Sequence, residues 1–317
     1  MPDILCLGEP MLEFNQQPTG PDGRSLYLEG HGGDTSNAAI AAARSGADAG
    51  MIAQMGDDRP GRSFAELWAM EGVDTATVRT DPEAPTGIYF VTHSEKGHDF
   101  TFYRKGSAAS RMRVQDVPEA AIRQARILHL SGISLGISDS ACDAAFHAIQ
   151  VARQAGVTVS FDTNLRLRLW PLRRASACIH TAVGMADMAF PSLDDAKLLT
   201  GLAEPEAIAD FYLKLCPLVL LKLGEEGLLV ATREARARIP GFKVEAVDAT
   251  GAGDTLAGAF MARAVAGDDT WKAARYANAA AALSTTGYGA VAPIPSAAAV
   301  HAFLEAQGEA QGEGHGA

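Results

Sequence analysis

The fold is decided by one stretch, Val244-Glu245-Ala246-Val247-Asp248-Ala249-Thr250-Gly251-Ala252-Gly253-Asp254-Thr255-Leu256-Ala257-Gly258-Ala259-Phe260. Residues 244–247 predict the end of a strand, residues 251–253 a loop of small residues, and residues 255–266 a buried, alanine-rich helix. The loop therefore opens a helix. Unpaired backbone N–H groups and the helix dipole attract anions at that end, and small residues let a ligand approach the backbone closely. The stretch predicts an anion site, with phosphate as the favoured ligand.

Asp254 stands beside this predicted anion site. A carboxylate there repels an anion, unless it takes a proton from a hydroxyl group that attacks the bound phosphorus. The alternative is an ordinary helix cap, since Asp is favoured at that position. The local sequence leaves both interpretations open.

Two familiar phosphate-binding patterns do not fit the stretch. A P-loop needs Lys after its second Gly, whereas Ala259 follows Gly258, and a dinucleotide fingerprint needs Gly where Leu256 stands. A looser dinucleotide pattern occurs later, at Gly287-Tyr288-Gly289-Ala290-Val291-Ala292, but prolines follow where a helix should run. We therefore expect neither fold.

The composition indicates an α/β protein. The chain has 317 residues, 47 % of them hydrophobic and only 7 % aromatic, so small aliphatic residues carry much of the core. Lys and Arg number 27 against 38 for Asp and Glu, a net charge of −11. This balance disfavours nucleic acid and anionic membranes as partners. An anionic substrate would need a local basic pocket.

The cysteines and the N-terminal residues indicate a cytoplasmic location. Cys6, Cys142, Cys178 and Cys216 lie far apart in the sequence, in apolar settings and without metal-ligand spacing. This arrangement predicts buried thiols in a reducing compartment. The chain shows no basic leader followed by an apolar run, and no apolar run of about 18 residues.

Strands and helices are predicted to alternate along most of the chain, as in βαβ units. Predicted strands are residues 4–8, 51–55, 127–130, 157–161, 186–191 and 218–222, and predicted helices are residues 35–45, 63–72, 140–154 and 272–283. Residues 88–92 and 100–104 instead predict an antiparallel hairpin with a turn at 95–98, joined by residues 26–29 in a separate small sheet. Such a small sheet must pack on something to be stable.

Two separated motifs carry a resemblance to the ribokinase (PfkB) family of sugar kinases. Asp248-Ala249-Thr250-Gly251-Ala252-Gly253-Asp254 resembles its C-terminal signature, and Gly32-Gly33-Asp34-Thr35-Ser36-Asn37-Ala38-Ala39, with Gly46 and Gly56-Asp57-Asp58, resembles its N-terminal half. The resemblance implies a ribokinase-like α/β fold over residues 1–304, a doubly wound sheet flanked by helices. It also implies a small β-sheet lid from about residues 12–33 and 86–106, through which subunits of a homo-oligomer often pair. Residues 305–317 have the composition of a flexible tail.

The resemblance also assigns roles to individual residues. ATP and Mg²⁺ are the implied cofactors, with a monovalent cation as a further candidate. Asp254 becomes the catalytic base, the backbone of Gly251, Ala252 and Gly253 the anion hole, and Gly33, Asp34 and Asn37 the sugar pocket. The implied nucleotide residues are Asn164, Ser192, Lys222, Gly224, Gly227, Gly251, Gly253 and Asn278. As bare patterns, Lys222 to Gly227 is an ordinary hairpin turn and Asn278 a helix surface residue.

The metal ligands stay open, because the sequence departs from the family at the relevant place. Ser192 and Asp195 stand where many relatives carry the Asn and Glu of a motif that tunes Mg²⁺. Glu9 and Glu13 follow the first predicted strand, where each is either a solvated carboxylate or a contact to a hydroxylated substrate.

The substrate is indicated by two further segments. Residues 102–110 and 160–170 resemble segments of the family branch that phosphorylates 2-keto-3-deoxygluconate, and they contain Arg104 and Arg166. A guanidinium binds a carboxylate bidentately, which suits a sugar acid. The alternative is that each Arg forms an ordinary ion pair. Tyr89 and Tyr103 could bind the sugar through their hydroxyls or simply pack together within the lid.

We therefore predict an ATP-dependent kinase that phosphorylates the terminal hydroxyl of 2-keto-3-deoxygluconate. The nearest alternative is a kinase of another sugar, such as fructose or ribose. The other alternative is a non-catalytic sugar or nucleotide sensor that shares the fold.

Overall fold

The structure, a computed structural model, describes residues 1–20, 22–94 and 97–313. Its strands are β1 (Ile4–Leu7), β2 (Met11–Gln17), β3 (Leu26–Gly32), β4 (Ala49–Gly56), β5 (Asp74–Asp81), β6 (Gly87–Ser94), β7 (Gly97–Tyr103), β8 (Ile127–Ser131), β9 (Thr158–Asp162), β10 (Met188–Ala189), β11 (Leu218–Lys222), β12 (Gly227–Thr232) and β13 (Arg236–Pro240). Its α-helices are α1 (Asp34–Arg44), α2 (Arg59–Met70), α3 (Glu119–Ile122), α4 (Gly132–Gly136), α5 (Asp139–Gln154), α6 (Leu172–Gly184), α7 (Leu193–Thr200), α8 (Pro205–Leu213), α9 (Ala252–Val265), α10 (Thr270–Ser284) and α11 (Ala297–Glu313).

The main sheet carries the predicted alternation of strands and helices. Within the described ranges it has nine strands, in the order β13-β12-β11-β10-β9-β8-β1-β4-β5. Neighbours from β11 to β5 are parallel, and β12 and β13 run antiparallel at one edge. Strand β1 is apolar and buried along its whole length, because both faces of the sheet are covered. The predicted doubly wound α/β architecture is confirmed.

Helices on the two faces form two hydrophobic cores. One core packs α4 to α8 against the sheet, and the other packs α1, α2, α9 and α10. Gly258 lets α9 contact α1 closely, since a Cβ there would lie 2.8 Å from the Cβ of Ala41 and would collide with the carbonyl of Ala38. This close packing brings the first turns of the two helices together.

The second sheet is the predicted lid. In the described part of the chain it has four strands, in the order β3-β2-β6-β7, with β6 and β7 forming the predicted hairpin. Two turn residues, Glu95 and Lys96, lie outside the described residues. The rings of Phe14 and Phe90 stack across β2 and β6 with centroids 5.2 Å apart. The sequence does not predict β2, because this strand is rich in amide residues and has no β-branched ones.

Two predictions of local structure differ from the structure. Residues 244–247 do not form a strand: the sheet ends at β13, and the N–H of Val247 donates to the carbonyl of Thr285 at 2.7 Å. An alternating pattern makes a strand only where a neighbour supplies backbone partners. The tail expected from residue 305 is helical as far as Glu313 in α11, since its Ala, Glu and Gln residues are strong helix formers.

All four cysteines are free thiols. Cys6, Cys142 and Cys216 are buried as predicted, whereas Cys178 is half-buried. Burial, with the neighbouring Cys178, raises the pKa of Cys142 to about 12. Burial also raises the pKa of Cys6 and Cys216, so the three buried thiols stay protonated at neutral pH and act as small apolar side chains.

Candidate active site

The predicted anion loop lies at the N-terminus of α9. Gly251 is the N-cap residue and adopts a left-handed conformation with φ 78°. A Cβ at this position would lie 2.9 Å from the carbonyl oxygen of Ala290, so both the backbone angle and the close approach favour glycine. The backbone N–H groups that follow belong to the first turn of a 14-residue helix. They form the kind of site that binds an anion.

Asp254 does not cap this helix. The cap is Gly251, and the Asp254 side chain lies in the first helical turn, where its Oδ2 accepts a hydrogen bond of 2.8 Å from Nδ2 of Asn37. Asn37 belongs to the first turn of α1, 217 residues earlier in the chain. The capping interpretation is therefore wrong, and Asp254 faces the predicted sugar-pocket residues.

Asp254 carries a strongly perturbed carboxyl group. Burial and the nearby carboxylates of Asp34 and Asp162 raise the pKa of Asp254 to about 8, against the opposing effects of Asn37 and Lys222. A base with a pKa near the working pH is effective in proton transfer. The environment of Asp254 therefore suits a general base.

Lys222 ends β11 beside the anion loop. Its Nζ donates to Oδ2 of Asp162 at 2.6 Å, and the two side chains are only 16 % and 4 % exposed. The same Nζ lies 3.1 Å from the point where a Cβ on Gly253 would stand. Gly253 thus makes room for the lysine side chain. After Lys222 the chain turns through Gly224 and Gly227, which have positive φ. Residues 222–227 therefore form a hairpin turn, as the bare pattern predicts, and this turn also begins beside the anion loop.

Asn164 joins the two halves of the site. Its Nδ2 donates to Oδ2 of Asp34 at 2.8 Å, and its N–H donates to Oδ1 of Asp162 at 3.2 Å. Asn164 has a φ of 28°, a conformation that costs a non-glycine residue free energy. The sequence assigned Asn164 to the nucleotide, whereas its side-chain amide contacts Asp34, a residue predicted for the sugar pocket.

The predicted sugar-pocket residues cluster at the start of α1. Gly33, at φ 112°, lies so close to Glu9 that a Cβ would collide with the Glu9 carbonyl. Asp34 and Asn37 are buried in the first helical turn. The Oδ1 atom of Asn37 is buried without a hydrogen-bond partner among the described residues. A buried acceptor beside Asp254 fits a hydroxyl-bearing ligand.

Arg104 is already paired with a carboxylate of the protein. Its Nε donates to Oε2 of Glu9 at 2.8 Å and its Nη2 donates to the same oxygen, while the Ser107 hydroxyl donates to Oε1 at 2.8 Å. The Glu9 side chain is fully buried, so its interpretation as a solvated carboxylate is wrong. The ion-pair alternative is therefore confirmed for Arg104, although the sequence did not indicate Glu9 as the partner, and the pair fixes the base of the lid to the end of β1.

The two tyrosines predicted to bind the sugar, Tyr89 and Tyr103, lie on opposite faces of the lid sheet. Tyr89 is buried, its hydroxyl donates to Oε2 of Glu13, and burial raises its pKa. Tyr103 pairs with Ile88, one position out of register with Tyr89, and is 62 % exposed. Because side chains alternate across a strand, the structure does not bring Tyr103 into the pocket of this chain with Tyr89. Glu13, like Glu9, is buried rather than solvated.

Arg166 is an exposed arginine on the loop that follows Asn164. Its Nη1 donates to the carbonyl of Leu165 at 2.9 Å, directly after Asn164. Arg168, on the same loop, donates from Nη1 to the carbonyl of Phe100, and its Nη2 lies 3.4 Å from Oδ1 of Asp99. Arg168 thus contacts the lid, which no sequence motif indicated.

One known protein family matches this chain over most of its length. The family model described as pfkB family carbohydrate kinase matches residues 1–297. The chain belongs to the pfkB family of carbohydrate kinases. The chain is 37 % identical to 2-dehydro-3-deoxygluconokinase of Thermoproteus tenax over 96 % of its length and 95 % of that protein. It is 32 % identical to fructokinase-1 of Zea mays over 95 % of its length and 97 % of that protein.

A solved structure with the same fold is a double mutant of fructokinase from Vibrio cholerae, bound to fructose, ADP and potassium. It matches this pfkB-family kinase with a TM-score of 0.85 and 30 % identity, over 95 % of this chain and 97 % of that one. The predicted family, the ribokinase-like fold and the carbohydrate kinase class are confirmed.

Asn278 lies inside the kinase rather than on a helix surface. It is 5 % exposed, and its Nδ2 donates to the carbonyl of Pro240 at 2.9 Å. The surface interpretation is therefore wrong. The amide ties α10 to the end of β13.

The Ser192 and Asp195 side chains are used in local structure. Oγ of Ser192 caps α7 by accepting from the Asp195 N–H at 3.3 Å, and Oδ2 of Asp195 accepts from the Leu165 N–H at 3.0 Å. Among the residues that the structure describes, no group of three His, Cys, Asp or Glu side chains could hold a metal ion. Mg²⁺ keeps several waters and binds phosphate oxygens, so this donor set fits a Mg²⁺ carried largely by the nucleotide.

Across the described ranges, no helix is both long and apolar enough to cross a lipid bilayer.

Proposed function

We propose that this pfkB-family kinase transfers the γ-phosphoryl group of ATP to the terminal hydroxyl of 2-keto-3-deoxygluconate. The observation that carries the chemistry is Asp254, held by Asn37 in the first turn of the helix that the anion loop opens. A buried carboxylate with a raised pKa beside an anion site has a chemical use in removing a proton from an attacking hydroxyl.

In this reaction the hydroxyl oxygen forms a bond to the γ-phosphorus while the bond between that phosphorus and the β–γ bridging oxygen breaks. The proton passes to Asp254, and ADP leaves. Asn37 holds the carboxylate in place. The backbone N–H groups of the loop at Gly251, Ala252 and Gly253 donate to the phosphoryl oxygens, which gain negative charge in transit.

The nucleotide is proposed to lie along the turn after β11 and the N-terminus of α9. Lys222, Gly224 and Gly227 line the phosphate side, Asn278 and Ser192 are proposed for the remaining nucleotide contacts, and Asn164 connects this side to the sugar pocket. Mg²⁺, when bound, neutralises phosphate charge and is proposed to bind chiefly to ATP. A monovalent cation is a further proposal, supported by the potassium ion in the Vibrio cholerae fructokinase structure.

The sugar-acid assignment depends on the two arginines. Arg166 lies on the loop that begins at Asn164, and its exposed guanidinium is suited to a bidentate contact with a carboxylate. Arg104 contributes less than the sequence alone suggested, because Nε and Nη2 already bind Glu9. We propose Arg166 as the main carboxylate partner, with Arg104 and Tyr89 completing the pocket.

A fructose kinase is the second candidate, and one observation favours it. Glu9 neutralises Arg104, so that the lid side of the pocket offers less positive charge to a carboxylate than the sequence predicts. The 32 % identity to a plant fructokinase is close to the 37 % identity to the deoxygluconokinase. A non-catalytic sensor is disfavoured, since a sensor has no use for Asp254 beside an anion loop.

The test measures ADP release with Mg·ATP across 2-keto-3-deoxygluconate, gluconate, fructose and ribose at equal concentration. Selective turnover of the keto-deoxy acid supports the proposal. Preference for a neutral sugar overturns the sugar-acid assignment while retaining Asp254 as the base. ATP binding without phosphoryl transfer to any sugar supports the sensor.

A matched pair of variants then separates the two kinases. Arg166→Ala should raise KM for the keto-deoxy acid at least tenfold with a smaller effect on kcat, because a bidentate charged contact is lost. Arg153→Ala is the control: this arginine bonds the carbonyl of Met185 on the surface and should leave KM unchanged. An unchanged KM in Arg166→Ala would remove the carboxylate contact from the proposal.

Assembly and location are proposed as well. The lid exposes apolar side chains on both faces, Leu26 and Leu28 on the face of Tyr89 and Tyr27 and Tyr103 on the opposite face, which supports a homo-oligomer that pairs through the lid. A cytoplasmic location agrees with a requirement for ATP.

A further inference from the structure

We propose that Lys222 is a catalytic residue that donates a hydrogen bond to the phosphoryl group during its transfer, and that Asp162 positions the Lys222 ammonium. This inference rests on the proposed phosphoryl transfer and goes beyond a general role for Lys222 in binding the nucleotide. It assigns the lysine to the transferring group rather than to the part of the nucleotide that remains as ADP.

The first argument for this role is the position of the Lys222 ammonium. The Nζ of Lys222 lies 3.1 Å from the site of a missing Cβ on Gly253, and the Cδ and Cε atoms lie 3.6 and 3.8 Å from the same point. The side chain therefore extends along the anion loop, one residue before Asp254. An oxygen of a phosphoryl group bound to the loop N–H groups is within reach of the ammonium.

The pairing with Asp162 carries the second step. The 2.6 Å bond to Oδ2 of Asp162 uses one of the three N–H donors of the ammonium. The Asp162 side chain is 4 % exposed, and its Oδ1 accepts from the N–H of Asn164, so the carboxylate is fixed on both sides. A fixed carboxylate holds a flexible lysine side chain in one place, which preorganises it for the transferring group.

The charge of the site carries the third step. Asp34, Asp162 and Asp254 place three carboxyl groups around the reaction centre, and the phosphoryl group brings further negative charge. Lys222 is a cation within this group that also adjoins the anion loop. Without it, a deprotonated Asp254 and the phosphoryl group would repel each other at low local dielectric.

The transfer itself is unchanged in its balance of atoms. The P–O bond to the sugar forms, the bond from the γ-phosphorus to the β–γ bridging oxygen breaks, and Asp254 receives the hydroxyl proton. Lys222 neither gains nor loses a proton. It donates a hydrogen bond to a non-bridging oxygen and stabilises the charge that develops there.

The test compares Lys222→Met with wild type, using the sugar that wild type phosphorylates best. We expect kcat to fall by about 10²–10³, the loss typical of one preorganised donor. The affinity for ADP, measured by calorimetry, should stay within about threefold, because ADP lacks the transferred group. Arg263→Met is the control, since it removes a partly buried ion pair with Asp268 at the far end of α9 and should keep kcat.

A pH profile supplies a readout that a purely structural role would not move. Asp254 is faced by Asp34 and Asn37 from α1, Asp162 from β9 and Lys222 from β11. Removing the positive charge in Lys222→Met should shift the acid limb of kcat/KM to higher pH. Asp162→Asn removes a negative charge and should shift it to lower pH, with a kcat loss of about tenfold from the less well held lysine.

The outcomes are distinct. The inference is overturned if kcat of Lys222→Met stays within threefold of wild type, or if its ADP affinity falls as far as its kcat. The proposed function still holds in either case, provided that the wild-type protein turns over a sugar. A wild-type protein that phosphorylates no sugar overturns both. If Lys222→Met does not fold, the double variant Lys222→Met/Asp162→Asn leaves no unpaired buried charge, and the same kcat and ADP criteria apply to it.

Discussion

The contact of α9 with α1 at Gly258 gives a sharp prediction, because it couples packing to the reaction centre. We consider the substitution Gly258→Ala. The added Cβ would lie 2.8 Å from the Cβ of Ala41 and 3.0 Å from the carbonyl carbon of Ala38, whereas ordinary contact begins at 3.4 Å. Relief of the Ala41 contact alone requires the helices to separate by about 0.6 Å, the collision with the carbonyl oxygen of Ala38 requires more, and overpacking of this kind costs about 1–3 kcal/mol.

The same separation acts on the catalytic carboxylate. The bond from Asn37 Nδ2 to Asp254 Oδ2 is 2.8 Å and spans the same two helices. A displacement of about 0.6 Å would lengthen it to about 3.4 Å, beyond the usual hydrogen-bond range. Since a 1 Å misplacement can cost about 10²-fold in rate, we expect kcat to fall by about tenfold.

The measurements are the free energy of unfolding by urea denaturation and kcat with saturating ATP and sugar. Gly184→Ala is the matched control, because a Cβ at this last residue of α6 meets no atom within 4 Å. We expect the control to be neutral or up to about 1 kcal/mol more stable, since Ala is the better helix former. A Gly258→Ala protein as stable and active as wild type would refute the reasoning.

Three further predictions concern the side chains of Asp254 and Arg104. Because burial and neighbouring carboxylates raise the pKa of Asp254 to about 8, and the base must be deprotonated, kcat/KM should fall as the pH drops through that value. Asp254→Asn should lower kcat by about 10²–10⁴ while ATP binding persists, and undiminished turnover would exclude Asp254 as the base. Arg104→Ala should reduce the free energy of unfolding by about 3–5 kcal/mol, because Glu9 would remain buried without its cation. Arg59→Ala, which breaks an exposed pair with Glu29, should cost at most about 1 kcal/mol, and equal losses from the two substitutions would contradict the argument.

Much of the fold and of the phosphate chemistry follows from local sequence. Buried strands such as β1 are apolar over their whole length, and the helices between them carry caps and periodic apolar faces, so the doubly wound sheet is predictable. The anion loop is predictable as well, because the left-handed N-cap position at residue 251 favours glycine for a purely local reason. Residues 244–247 show the limit of prediction from local sequence. Their sequence predicts a strand, but a local pattern cannot reveal whether a neighbouring strand exists to pair with them.

Which polar groups pair with one another depends on the tertiary structure. The Asn37–Asp254, Asn164–Asp34 and Lys222–Asp162 bonds join residues 217, 130 and 60 positions apart. From the sequence, Arg104 is predicted to bind a substrate carboxylate. In the structure, two of its N–H donors bind Glu9, which follows β1 and lies 95 residues earlier in the chain. Secondary structure depends on neighbours along the chain, whereas the state of a buried charge depends on every group within a few ångströms, and those neighbours are fixed only when the helices and strands pack.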